Sequence, residues 1–278
     1  MDPLLVWIVV LTMAGGVLGA LAAGMLLLLS ARMRERLMPA LVSFAIGALL
    51  GAAFLGLLPH ALEANNVSAY GVALTILIAL LAFFVLEKMV LWRHCHTYDC
   101  EAHGGTSSNT GADGHAHFHP DHIERARTAA TGSLILVGDG VHNTVDGVLI
   151  AAAFLTDVRL GVVTSLAVIA HEVPQEVGDF AILLMSGFKP ARAMFYNILS
   201  GLTMVVGGVV AYFSLSFANA AVPYVLAIAA ASFIYIAVAD LIPGLHRRPE
   251  FSATFQQLTL IALGIIVIAL ADRALHGG

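Results

Sequence analysis

Charged side chains are scarce in this chain. Asp, Glu, Lys and Arg make up only 11% of the 278 residues, against 59% hydrophobic residues, and the mean hydropathy is +0.91. A soluble domain draws about a quarter of its residues from the charged types and has too little interior for this much apolar surface, so a water-soluble globule is excluded. Cysteine is almost missing: Cys95 and Cys100 are the two, which rules out a disulfide framework. The 13 Lys and Arg residues are dispersed and the formal net charge is −5, so no nucleic-acid partner is expected. No Lys or Arg precedes Arg32. The start therefore lacks the basic region of a cleavable signal peptide, and the first hydrophobic run reads as a retained span.

What the chain has in quantity is apolar runs of bilayer length, about 20 residues each. Polar breaks divide it into eight predicted spans at 4–29, 39–62, 69–92, 128–155, 160–187, 190–216, 221–243 and 254–272, with Pro39, Pro190 and Pro249 at expected helix boundaries. The expected fold is an all-α, polytopic membrane protein with one transmembrane domain over 1–278 and a polar cytosolic loop at 94–122 between the third and fourth spans. Charge asymmetry sets the orientation. Connections one, three, five and seven hold eleven of the 13 basic residues, leaving only Arg159 and Arg273 on the other side, so both termini are expected outside the cytosol. Spacings such as Gly15 to Gly19 and Gly47 to Gly51 predict close helix packing. No primary repeat stands out, although diverged inverted repeats are compatible with eight spans.

Ionisable groups are costly in hydrocarbon, about 2.5–3.5 kcal/mol each on insertion scales, and usually line a polar path. The fourth and fifth spans carry seven: Asp139, His142 and Asp146 in GDGVHNTVDG, and His171, Glu172, Glu176 and Asp179 in AHEVPQEVGD. Spacings of three, four and seven place Asp139, His142, Asn143 and Asp146 on one broad helix face, and pair His171 with Gln175 and Glu172 with Glu176 and Asp179. Imidazole mixed with carboxylate suits Zn²⁺ and its first-row neighbours better than Mg²⁺ or Ca²⁺; interhelical hydrogen bonding or a proton relay is the alternative. Pro174 removes a helical hydrogen bond and Gly178 is read as allowing close approach, so carbonyls near residue 170 are candidates to face the site.

HNTVDG followed by HEVPQEVGD resembles the paired signature of the ZIP (Zrt/Irt-like) metal transporters, particularly the branch with histidine-rich cytosolic loops; LLPHA at 57–61 and DLIPGLH at 240–246 fit the same pattern. The resemblance implies an eight-helix bundle with inverted repeats, a homodimer, alternating access and metal movement into the cytosol. It also implies a mononuclear or binuclear site with His142, Asn143, Asp146, His171, Glu172 and Gln175 as ligands. The chain departs from the family pattern at three places: Asp146 stands where many members have Glu, Gln175 where the branch usually has His, and Met204 where an acidic sixth-span ligand would fall. No resident cofactor is expected, since the bound metal is cargo. The implied partners are divalent ions and the lipid bilayer of a bacterial inner membrane or of a eukaryotic plasma membrane or endomembrane.

The 94–122 loop holds His94, Cys95, His96, Cys100, His103, His115, His117, His119 and His122; such a segment cannot bury a core and is read as a mobile metal collector. His60 and Asp272 near the outer side, and Asp240 and His246 near the cytosol, are candidates for the pathway or for interfacial anchoring. Asn197 in the sixth span faces the path or a neighbouring helix. HEVPQ begins like the H-E-x-x-H motif of zinc proteases, but Gln175 replaces the second His and Pro174 interrupts the turn, so no enzyme is expected. Broad Mn²⁺, Fe²⁺ or Cd²⁺ transport, and a metal sensor without flux, are the alternatives to Zn²⁺ transport.

Overall fold

The computed structural model describes residues 2–64, 67–95, 120–246 and 250–276. Among them the chain forms eight long helices: α1 (Pro3–Leu28), α2 (Ala31–Glu63), α3 (Ala69–Cys95), α4 (Pro120–Thr156), α5 (Val158–Met185), α6 (Pro190–Phe217), α7 (Asn219–Leu245) and α8 (Phe251–His276). Six of these, α1, α2, α3, α6, α7 and α8, contain segments long and apolar enough to cross a membrane. The other two, α4 and α5, are 37 and 28 residues long and carry the ionisable groups. The architecture is that of an all-α, multi-pass membrane protein.

The distribution of side-chain size explains the packing. Small residues fill the interior, among them Ala45, Ala48, Ala52, Ala53, Ala151 to Ala153 and Ala229 to Ala231, while Leu77, Leu81, Phe84 on α3 and Phe255, Leu258, Leu270 on α8 lie exposed. That arrangement suits a lipid solvent, in which large aliphatic groups gain nothing by turning inward and small ones let backbones approach. Along the bundle α4 packs on α5 and α6, α1 joins α5 and α6, α2 pairs with α5 and α8, and α3 pairs with α7. A Cβ on Gly47 would lie 2.0 Å from the Ile261 carbonyl oxygen, so the predicted small-residue contact exists and joins α2 to α8.

Three helices contain a wider, π-helical turn: α1 at Ala14–Leu18, α2 at Ala52–Leu57 and α7 at Ile236–Leu241. In α2 and α7 that turn ends two residues before a proline, Pro59 or Pro243, whose missing N–H would otherwise leave a carbonyl unpaired. Asp2 caps α1 by accepting a hydrogen bond from the Leu4 N–H at 2.9 Å, and Tyr212 on α6 donates its hydroxyl to the same carboxylate.

Several predicted boundaries shift. Helix α2 begins at Ala31 rather than 39 and runs through Arg32, Arg34 and Arg36, with Pro39 inside it. Likewise α3 continues through His94 to Cys95, and α4 starts at Pro120, so both ends of the predicted 94–122 loop are helical. Hydropathy detects the membrane-embedded part of a helix, not its polar continuation into water. His96, Cys100, His103, His115, His117 and His119 lie outside the described residues.

Candidate metal centre

Helices α4 and α5 form an antiparallel pair joined by the single residue Asp157, which caps α5 by accepting from the Arg159 N–H at 2.7 Å. So short a connection fixes the register of the two helices, and it sets the HNTVD and HEVPQ turns side by side. Against the other side of α4, helix α6 approaches to backbone contact. A Cβ on Gly147 would lie 1.9 Å from the Met204 carbonyl oxygen, and one on Gly207 would lie 2.1 Å from that of Thr144. Thr203 adds a cross-helix tie, donating its hydroxyl to the Gly140 carbonyl at 2.7 Å. From α1, Gly19 faces Glu172, where an added Cβ would meet the glutamate Cβ at 3.4 Å.

The result is a buried group of four donors, His142, Asp146, His171 and Glu172. His171 Nε2 lies 3.1 Å from Asp146 Oδ2 and 3.5 Å from Glu172 Oε1; His142 Nε2 lies 3.6 and 3.5 Å from the same two oxygens. The two Nε2 atoms are 3.4 Å apart. A tetrahedron with metal–ligand bonds of about 2.0–2.1 Å has edges of about 3.3 Å. Five of its six edges are thus present before any metal is considered. With neutral imidazoles the group carries two negative charges, which one divalent cation cancels; in a buried site an uncompensated pair of carboxylates is strongly unfavourable.

Orientation of the ligands is built in. His171 Nδ1 donates to the Ala167 carbonyl at 3.2 Å, and this leaves the Nε2 lone pair for the shared centre. The Asp146 and Glu172 oxygens have no hydrogen-bond partner among the described residues; only the two imidazoles come within ion-pair range. Side-chain exposure is 24% for His142 but 1% or less for the other three, so the centre opens at His142. Phe233 of α7 is buried against His171 in an edge-type ring contact, centroids 6.3 Å apart.

The remaining predicted residues divide by position. Asn143 is fully buried and donates from Nδ2 to Asp139 Oδ1 at 2.9 Å, while Gln175 is half-buried one turn from His171. Asp139, Glu176 and Asn197 are buried beside the four-donor group, and Asp179 is half-buried further along α5. Asn197 donates to the Glu176 carbonyl at 3.4 Å. His60 is occupied locally, donating from Nδ1 to the Gly56 carbonyl at 2.8 Å. Asp240 sits exposed in the π-helical turn of α7, His246 is exposed at its end, and Asp272 is half-buried on α8. Gly178 does not mediate close approach: a Cβ there would meet nothing within 4 Å. Phe233 and Thr203 escaped the sequence reading because each lies in an otherwise apolar run, with no local pattern to mark a contact made across helices.

A buried imidazole and carboxylate centre inside a helical membrane bundle defines a multi-pass membrane protein with a candidate transition-metal site. Comparison with known sequences agrees. The profile of the family described as ZIP Zinc transporter matches residues 4–272; this chain belongs to that family. Similar proteins include Zinc transporter foi of Drosophila melanogaster, 39% identical over 50% of this chain and 19% of its own length. Zinc transporter ZIP13 of Pongo abelii is 30% identical over 83% of this chain and 65% of its own. Zinc transporter ZIP5 of Homo sapiens is 32% identical over 87% of this chain and 53% of its own. The chain therefore spans less than two thirds of the length of each of these relatives.

Proposed function

We propose that this chain carries divalent transition-metal ions, Zn²⁺ foremost, across the membrane into the cytosol, through a site whose core ligands are His142, Asp146, His171 and Glu172. The observation that carries the reading is the near-tetrahedral spacing of four buried donors, 3.1–3.6 Å for the five separations given above. Asn143 and Gln175 adjoin this core and complete the ligand set that the family pattern implies. His142, the one partly exposed donor, is the access point. Pro174 leaves the Ala170 carbonyl without its helical N–H, which makes an oxygen available one residue before His171.

The accompanying topology has all eight helices spanning the membrane as one domain, both termini outside, and residues 96–119 joining α3 to α4 in the cytosol. Its support is the bias of basic residues toward one set of connections. A homodimer rests on the family resemblance alone, and sizing of the purified protein checks it. The histidines of the connecting segment and its Cys100, with His94 and Cys95 at the end of α3, collect metal without forming part of the route. Reconstituted protein with a zinc-sensitive dye inside the vesicles tests transport: Zn²⁺ should enter faster than in protein-free vesicles. Absence of flux with Zn²⁺, Mn²⁺, Fe²⁺ and Cd²⁺ alike would leave a metal-binding sensor instead.

A further inference from the structure

Next to the four-donor group lies a second set of polar atoms that the tetrahedral centre does not use. Asp139 is 5% exposed, and Glu176 and Asn197 are 0% exposed. Asp139 Oδ2, both Glu176 carboxylate oxygens and Asn197 Oδ1 are buried without a hydrogen-bond partner among the described residues. They come from three helices. Asp139 is held on α4 by the Asn143 amide at 2.9 Å and stands beside Ser200 of α6. Asn197 of α6 anchors its amide on the Glu176 carbonyl of α5. Among the charges acting on Glu176, that of Asp139 is foremost, with Glu172 and Asp179 adding to it.

Because α4 and α5 are antiparallel, residues before His142 on α4 and after Glu172 on α5 are displaced the same way along the bundle. Four residues amount to about 6 Å of axial rise. The unused oxygens therefore lie about one turn from the imidazoles. A buried carboxylate without a partner is costly, and two that repel each other more so. The neutral Asn197 oxygen, unpartnered in the same place, is a third donor of the same hard type. Oxygen-only donor sets suit Mn²⁺, Mg²⁺ and Ca²⁺, whereas imidazole shifts preference to Zn²⁺ and Co²⁺.

We propose that Asp139, Glu176 and Asn197 form a separate divalent-cation position, ligated by oxygen alone, between α4, α5 and α6, one turn along from the imidazole-containing centre. It rests on the transport reading in that the cargo passes from one position to the other, and water completes its shell. An ion leaving two imidazoles for a harder, more weakly zinc-binding set is on its way out, so the second position serves release.

Full-length protein in detergent provides the test, with Mn²⁺ as probe. Free Mn²⁺ has a sharp electron paramagnetic resonance signal that falls on binding, which yields an isotherm. Loss of an outer-shell partner already weakens metal sites by about 10–100-fold, so Glu176→Gln should weaken the Mn²⁺ step by at least about tenfold. Asn197→Leu, which leaves the charge unchanged, should move it in the same direction. Visible absorption of bound Co²⁺ reports the imidazole centre separately. It should survive both substitutions and change in His171→Ala. Mn²⁺ isotherms identical in wild type, Glu176→Gln and Asn197→Leu would overturn the second position. A Co²⁺ spectrum indifferent to His171→Ala would instead overturn the imidazole centre. Should Glu176→Gln fail to give monodisperse protein, Asn197→Leu carries the test alone.

Discussion

Gly147 follows Asp146 directly, and its substitution by alanine tests whether the metal centre depends on backbone contact between α4 and α6. The added Cβ would lie 1.9 Å from the Met204 carbonyl oxygen and 2.8 Å from the Gly208 nitrogen, where ordinary contact begins at 3.4 Å. Neither obstacle is the end of a flexible side chain, so the helices must separate by roughly 1.5 Å at that point, and overpacking of this kind costs about 1–3 kcal/mol, occasionally more. The displacement falls on the residue next to a ligand. Donors now 3.1–3.6 Å apart would lose their tetrahedral spacing, with a loss of affinity of about 10–100-fold, the range seen when supports of a metal ligand are removed. Gly178→Ala is the internal control. It lies on α5 in the same region, meets nothing within 4 Å, and should gain about 0.5–1 kcal/mol from helix propensity. Thermal unfolding and Zn²⁺ titration in detergent read both effects. The reasoning fails if Gly147→Ala matches wild type in melting temperature and affinity.

Removal of residues 97–120 should leave measurable zinc flux, because the proposed route runs through α4 and α5 and not through the proposed metal collector; complete loss of flux in a well-expressed deletion would contradict this. Equilibrium binding of Zn²⁺ to that deletion should weaken as pH falls, because metal and protons compete for His142 and His171. Affinity constant between pH 7.5 and 5.5 would mean that the histidines are not ligands.

Much of the site was legible because its chemistry is local. His142 and Asp146 sit four residues apart on one helix face, and the high cost of charge in lipid marked them, with His171 and Glu172, against an apolar background; the ligand set itself came from the family resemblance. The membrane class was legible from composition for the same reason. Helix ends were less so: the Ala31–Pro39 and Pro120 extensions are polar, and hydropathy reads them as breaks. Gly178 was misread because a glycine in a motif says nothing of what lies opposite. The contacts of Phe233, Thr203 and Gly147 with other helices were illegible, since a contact between distant segments leaves no period in either one. Asn197 was noticed only as a polar residue in an apolar helix; its bond to the Glu176 carbonyl needed the structure.

Zinc influx into proteoliposomes containing Asp146→Ala, beside wild type at equal protein incorporation, tests the central claim most directly. Of the other three donors, Asp146 Oδ2 lies nearest His171 Nε2, at 3.1 Å, and it also faces His142, so its loss opens the tetrahedron at a shared corner. The account predicts influx close to that of protein-free vesicles, with the variant still folded by circular dichroism. Influx at the wild-type rate would contradict transport through this centre.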